Sequence, residues 1–214
     1  MTSAQQKTGD YGRESWDRRW SQALRKGAHA VDRRPPNAHL LAEVDELPPG
    51  RALDAGAGHG AETLWLAERG WRVTAVDFST TALDHARSRA EQLGGDVAER
   101  VEWIAADLGT WTPPQAAYDL VVCLYVHVAG SVDAMVRRLA AGVAPGGTLF
   151  LVGHRPIDPA TGTETAAAGQ VQVTVEDARA ALDPDRWALL VAEERPRPGA
   201  RSGVDAVIRA RRLA

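Results

Sequence analysis

Three aspartates and a run of glycines are the residues of this sequence best suited to hold a ligand. Asp54-Ala55-Gly56-Ala57-Gly58-His59-Gly60 alternates glycine with other residues directly behind a carboxylate, and Asp77 and Asp107 close later apolar runs. Glycines let a chain turn sharply and approach a ligand with no Cβ in the way. A helix that starts behind such a turn adds free N–H groups. Two histidines, His127 and His154, each follow an apolar segment and could titrate near neutral pH. His59, inside the turn, is a weaker candidate facing the helix or solvent. The turn predicts a nucleotide-like ligand, and the two later histidines predict proton-exchanging groups at the mouth of the same site. Nothing places a third ligand beside them, so no metal is expected.

These residues need elements to position them. Trp16, Trp20, Ala23 and Leu24 recur at helical spacing before Gly27, and Leu40, Leu41, Val44 and Leu47 give a second amphipathic helix ended by Pro48-Pro49-Gly50. Strands are predicted at 51–55, 71–76, 101–105, 118–126, 148–152, 186–194 and 206–212. Helices are predicted at 61–69, from a Ser79 cap to Leu93, from a Ser131 cap through Val143, and from Thr174 to Leu182. Gly94-Gly95 should end the second of these, and Pro145-Gly146-Gly147 should turn the chain into the fifth strand. This alternation argues for an α/β fold, a doubly wound, mostly parallel sheet with helices on both faces. The last two strands have no helix between them, which implies a hairpin and an antiparallel strand. Strand ends carry the aspartates and histidines, and ligands of doubly wound sheets lie there.

The choice of ligand turns on charge. Gly56-x-Gly58-x-x-Ala61 also fits a dinucleotide fingerprint, with Asp77 near the expected ribose-binding acid. Asp54, two residues before the first glycine, would repel a pyrophosphate but could face the cationic amino group of S-adenosylmethionine (SAM). Asp107 could accept a hydrogen bond from an adenine amino group. These three acids favour SAM over a nicotinamide cofactor. An NAD(P)-dependent reductase and a SAM-binding protein without catalysis are the alternatives.

The ordered set LDAGAGHG (53–60), VTAVDFS (73–79), WIAADL (103–108), YDLVVCLYV (118–126) and VAPGGTLFLV (143–152) resembles the class I SAM-dependent methyltransferases. The resemblance implies a Rossmann-like seven-stranded sheet with a reversed last strand. It also implies methyl transfer from SAM, leaving S-adenosylhomocysteine. By the same likeness Asp54, Gly56, Ala57 and Gly58 would hold the methionine part. Asp77 would take the ribose hydroxyls and Phe78 would flank the adenine. Asp107 and Leu108 would hold adenine's other side, and Cys123 would line the methionine channel. The N-terminal helices and Val152-Gly153-His154 look like the tellurite-resistance and thiopurine methyltransferase branch, whose acceptors are small molecules. Methyl transfer is an in-line displacement dominated by positioning. His127 and His154 are the candidate catalytic groups, useful as bases where the acceptor carries a proton.

Length and charge restrict the rest. The 214 residues suit one domain, read as an N-terminal helical lid at 1–47 and a core at 50–214. Trp16 and Trp20, four apart, either pack into the core or wall a substrate site, and Tyr11, Arg18 and Arg33 would then face the acceptor. The glycine- and alanine-rich stretch 155–170 is a second lid candidate. The net charge of −3 gives no field toward nucleic acid, although residues 1–34 carry eight Lys/Arg against four Asp/Glu. No asparagine–proline–proline motif of amino-methylating enzymes follows the fourth strand, where Cys123-Leu124-Tyr125-Val126 stands. A lone cysteine, no signal-peptide pattern and no membrane span predict a cytoplasmic protein. It is expected as a monomer or homodimer acting on a small molecule.

Overall fold

The computed structural model describes residues 12–127, 130–157, 162–164, 171–198 and 203–214. Seven strands form one sheet: β1 (Arg51–Ala55), β2 (Arg72–Asp77), β3 (Val101–Ala105), β4 (Tyr118–Leu124), β5 (Val143–His154), β6 (Trp187–Pro196) and β7 (Val204–Arg212). Their order is β3-β2-β1-β4-β5-β7-β6. The first five strands pair in parallel, and β7 is antiparallel to both β5 and β6. The fold is the Rossmann-like arrangement expected, with β7 threaded between β5 and β6.

The central strands alternate between two cores. Leu53, Val121, Cys123, Leu149, Leu151 and Ile208 face α6 (Val132–Gly142) and α7 (Val175–Ala181). Ala52, Leu120, Val122, Phe150, Val152 and Val207 face Leu40 and Val44 of α2 (Ala38–Val44) and Leu66 of α3 (Ala61–Glu68). A strand buried on both faces reads as an unbroken apolar run, which is why 118–124 showed no alternation. Helix α4 (Thr80–Leu93) starts on Ser79, whose hydroxyl accepts from the Ala82 N–H, and covers β2 and β3.

Several boundaries differ from the periodic reading. Helix α1 runs from Arg13 to Asp32, with Gly27 leaving helical geometry in its interior, so this glycine interrupts the helix without ending it. Gly94 alone closes α4, and Gly95 opens a short helix, α5 (Gly95–Ala98). The expected turn at Pro145–Gly147 is a bulge inside β5. Tyr118 pairs with Val143 and Leu120 with Thr148, so the residues between are extruded from the ladder. Ile157 and Glu164 form an isolated antiparallel bridge, and most of the 155–170 stretch lies outside the described residues.

Helices α1 and α2 are tied to opposite ends of the sheet. Asp32 of α1 pairs with His85 at 2.8 Å and Arg89 at 3.2 Å on α4. Glu43 of α2 pairs with Arg195 of β6 at 2.7 Å and Arg209 of β7 at 3.6 Å. Only Ser15 and Val31 of α1 are buried, so this helix lies on the molecule without entering its core.

Candidate functional site

A cavity of about 240 Å³ opens at the carboxyl ends of β1, β2 and β4. The glycine turn forms its floor. Gly56 and Gly58 both take left-handed backbone angles, φ +91° and +52°, where a side chain is strained. A Cβ on Gly56 would collide with Val126, and one on Gly58 would stand 3.0 Å from the Trp20 indole. The amides of Gly56 and Ala57 donate to the carbonyl of Val76, which pins the turn to the end of β2.

Asp54, Glu62, Asp77 and Asp107 all line this cavity, and no lysine or arginine does among the described residues. Asp54 accepts from the Thr63 hydroxyl at 2.5 Å. Burial, and behind it the charge of Glu62, pushes its pKa up to about 7. Glu62 accepts from the backbone N–H of Asn37 at 2.9 Å, and burial raises its pKa as well. Asp77 accepts from the amides of Gly58 (2.9 Å) and Ser79 (2.8 Å), and burial again outweighs these bonds to raise its pKa. Its carboxylate therefore braces the turn and still has lone pairs for a ligand. Asp107 is exposed at the rim and accepts from the Gly109 amide at 2.8 Å. Arg138 of α6 holds that loop by donating to the carbonyls of Leu108 and Gly109.

Trp16, Trp20, His59, Phe78, Leu108, Tyr125, Val126 and His127 complete the wall together with Ala57, Ala106 and Leu124. Trp20 packs on His59 with ring centroids 5.4 Å apart, and Trp16 on His127 at 5.9 Å. The two tryptophans thus stand at the site and not in the core. Burial, with the charge of Arg34 next, pulls His59 down to about 4.

Other expected positions fall elsewhere. His154 does not line the cavity: its ring stacks on Tyr125 at 3.9 Å, and its Nδ1 bonds Asp205 at 2.9 Å. The mouth of the site ends one layer above it, because Tyr125 intervenes. Cys123 is buried below the wall, and burial pushes its thiol up to about 12. Arg33 is exposed beyond α1, and Arg18 pairs with Glu14 on the same helix at 3.8 Å. Tyr11 lies outside the described residues. Among the described residues no group of three His, Cys, Asp or Glu is arranged to hold a metal.

Glu62, Asn37, Tyr125, Gln172 and Asp205 carry a polar network that the sequence reading did not single out. Asn37 caps α2 through the amides of His39 and Leu40, and donates to the Tyr125 hydroxyl at 2.9 Å. That hydroxyl donates to Asp205 at 2.9 Å. Asp205 is fully buried on β7 and also meets Arg197 at 3.1 Å and His39 at 3.4 Å. Burial alone would raise its pKa, but the His154 and Tyr125 hydrogen bonds and the Arg197 charge hold it below the usual carboxylate range. Tyr125 itself sits at φ +56°, a left-handed angle uncommon for a bulky residue, and burial pushes its hydroxyl pKa upward. The visible signals were Asn37 before a helical run and a tyrosine closing an apolar strand. Nothing marked Gln172 or Asp205.

Residues 52–147 match the family described as a methyltransferase domain. The chain is similar to trans-aconitate 2-methyltransferase of Streptomyces avermitilis, 44% identical over 145 residues, which are 63% of this chain and 49% of that protein. It thus spans about half the length of the curated relatives it matches. Among solved structures it resembles an S-adenosylmethionine-dependent methyltransferase of Mesorhizobium loti, with a TM-score of 0.63, 24% identity, and coverage of 81% of this chain and 95% of that one. It also resembles a 1,6-didemethyltoxoflavin-N1-methyltransferase of Burkholderia thailandensis, solved with its acceptor and S-adenosylhomocysteine (TM-score 0.61, 20% identity, coverage 95% and 91%). The fold is that of these SAM-dependent methyltransferase structures. The finer likeness to the tellurite-resistance and thiopurine branch has no counterpart among these relatives.

Proposed function

We propose that this chain transfers the methyl group of SAM to a small-molecule acceptor by in-line displacement. One observation carries the reading: among the described residues, four carboxyl groups and no lysine or arginine line a cavity built on a glycine turn. A ligand with an ammonium and a sulfonium suits that lining, whereas the pyrophosphate of a dinucleotide would meet only like charge. The chemistry of the donor set suits SAM. Asp54 and Glu62 take the ammonium end, Gly56–Gly58 cradle the backbone of the amino acid part, and Asp77 takes the ribose. Phe78, Asp107 and Leu108 enclose the adenine. Bound there, SAM supplies a methyl group activated by its positive sulfur.

The residues of this chain then orient the acceptor and exclude water. Helix α1 acts as a lid, with Trp20 over the glycine turn and Trp16 closing the acceptor side beside His127. The 1–47 region and the 50–214 core work as one domain. The acceptor is a small carboxylic acid, a reading supported by the relatives named for trans-aconitate. The tellurite-resistance and thiopurine branch is the narrower alternative on the acceptor side. No helix of the described residues is long and apolar enough to cross a membrane. We read the protein as cytoplasmic.

Thermal-shift measurements with SAM, S-adenosylhomocysteine and NADH test the donor. The two adenosyl compounds should raise Tm, and stabilisation by NADH alone would overturn the reading. Mass spectrometry of trans-aconitate incubated with protein and SAM tests the transfer. Binding of SAM with no methylated product across a panel of small acids would mark a non-catalytic SAM-binding protein.

A further inference from the structure

The side-chain amide of Gln172 has one orientation that its neighbours accept. Its Oε1 stands 2.6 Å from the backbone N–H of His154, a group that only donates. Its Nε2 stands 3.2 Å from the carbonyl oxygen of Tyr125, a group that only accepts. Reversing the amide would set donor against donor and acceptor against acceptor, so the partners fix it. The second partner of Nε2 is the Nε2 of His127, at 2.8 Å. An amide nitrogen has no lone pair to offer, so the imidazole nitrogen must be the acceptor. A neutral imidazole that accepts at Nε2 carries its proton on Nδ1.

We propose that Gln172 is a positioning residue that locks His127 as the neutral Nδ1–H tautomer with its Nε2 lone pair engaged, so that His127 is not a general base and the acceptor is one that needs none, a carboxylate. The proposal rests on the methyl-transfer reading and names the acceptor class for it. Protonating Nε2 would put an N–H against the Gln172 amide N–H, with no room for both. Among the described residues, His154 on β5 and Arg19 on α1 bear on the ring, and Trp16 packs against it. Burial, followed by those two charges, pulls His127 down to about 4, so the neutral form persists at neutral pH.

The chemistry then balances without a base. A carboxylate oxygen uses a lone pair to form the new C–O bond, the C–S bond breaks, and its electron pair stays on sulfur. Sulfonium and carboxylate both become neutral, and no proton moves. A phenol or a protonated amine must lose a proton, and the lone pair of His127 is already engaged by Gln172.

Two-bond ¹H–¹⁵N correlation spectra of labelled protein read the imidazole directly, with His127→Gln to assign its signals. His127 should be neutral and protonated on Nδ1 from about pH 5.5 to about 8.5. In Gln172→Ala the Nε2–H tautomer should appear. In Gln172→Glu, nearly the same shape, the carboxylate should draw a proton onto Nε2 and return the pKa to about 6.5 or higher. An Nε2–H or imidazolium form at pH ~7 in the unaltered protein, or a spectrum indifferent to both variants, would overturn the lock. Should Gln172→Ala not fold, the unaltered spectrum and Gln172→Glu still decide. With S-adenosylhomocysteine bound, trans-aconitate and citrate should shift the His127 signals. Shifts from neutral phenols or amines alone, or from no carboxylate, would overturn the acceptor class. Calorimetry with S-adenosylhomocysteine on the same samples reports separately on the methyl-donor reading, which fails if nothing binds, whatever the spectra show.

Discussion

The carboxyl groups of Asp54 and Glu62 share one wall of the cavity, and each is raised above its ordinary range by burial. In the free protein two acids so placed resist ionising together. A bound ammonium relieves both at once, which links ligand affinity to pH. Because Asp54 lies at about 7, S-adenosylhomocysteine should bind more tightly as pH rises toward that value and level off above it. Near pH ~6 calorimetry in buffers of different ionisation enthalpy should record proton release on binding. Uptake of protons would contradict the assignment.

The same shift sets a stability trend. A folded-state pKa raised from 3.8 to about 7 means that the stability contribution of Asp54 is full below pH 3.8 and is lost as pH rises to about 7. Asp54→Asn keeps an oxygen for the Thr63 hydroxyl and removes the charge. Its Tm should lack that decline, while its affinity for S-adenosylhomocysteine falls by on the order of 1–3 kcal/mol. Thermal scans from acidic to neutral pH and calorimetry measure the two effects.

Gly56→Ala should damage the turn before it damages the fold. The new methyl meets Val126 while the backbone holds φ +91°. A loss of roughly 1–3 kcal/mol in unfolding free energy is expected, with binding lost more steeply because the turn must shift. Denaturant titration beside S-adenosylhomocysteine calorimetry gives both numbers, and an unaltered affinity would show that the turn does not meet the ligand.

Trp20→Ala should uncover the glycine turn. The indole stands 3.0 Å from where a Cβ on Gly58 would lie, and it packs on His59. Release of S-adenosylhomocysteine should quicken by about tenfold, the equivalent of ~1.4 kcal/mol, with little change in association. Stopped-flow fluorescence of the remaining tryptophans follows the release. An unchanged rate would mean that α1 does not cover the donor.

Asp205 should govern the acid limb of stability. Its pKa is depressed, so its contribution is present above the ordinary carboxylate range and is lost as pH falls through the folded value. Asp205→Asn should flatten that limb and loosen the Tyr125 hydroxyl, at a cost of about 1–3 kcal/mol for the weakened bonds to the half-buried Arg197 and to His154. Tyr125→Phe removes two bonds of this set, the one accepted from Asn37 and the one donated to Asp205, and should cost about 1–3 kcal/mol by urea unfolding.

The donor half of the site was legible because its parts are local. A strand end, a glycine turn and a helix start lie within one stretch of chain, and Asp77 and Asp107 each close a strand whose apolar run is visible. Periodicity also supplied the mostly parallel sheet with its antiparallel closing hairpin, though not the order of its strands. The acceptor half was not legible. His154 was expected at the mouth, but a chain reading cannot tell that Tyr125 adopts a left-handed angle and slides its ring between His154 and the cavity. Gln172 and Asp205 are polar residues in unremarkable surroundings, and only tertiary packing turns them inward. The early start of β5 at Val143 was hidden by Pro145 and two glycines, which end most strands but here form a bulge.

The threading of β7 between β5 and β6 has a kinetic consequence. The brace of the donor pocket, Gly58 to Asp77, closes over 19 residues, whereas the bonds of Tyr125 to Asp205 and Asn37 to Tyr125 close over 80 and 88. Short loops close early and long ones late, because the entropy of joining distant segments must be met first. A nascent chain can therefore shape the donor pocket while residues beyond 203 are still being made. The wall at Tyr125 is braced only when β7 slots into place, so on the methyl-transfer reading the donor pocket forms before the acceptor side is set.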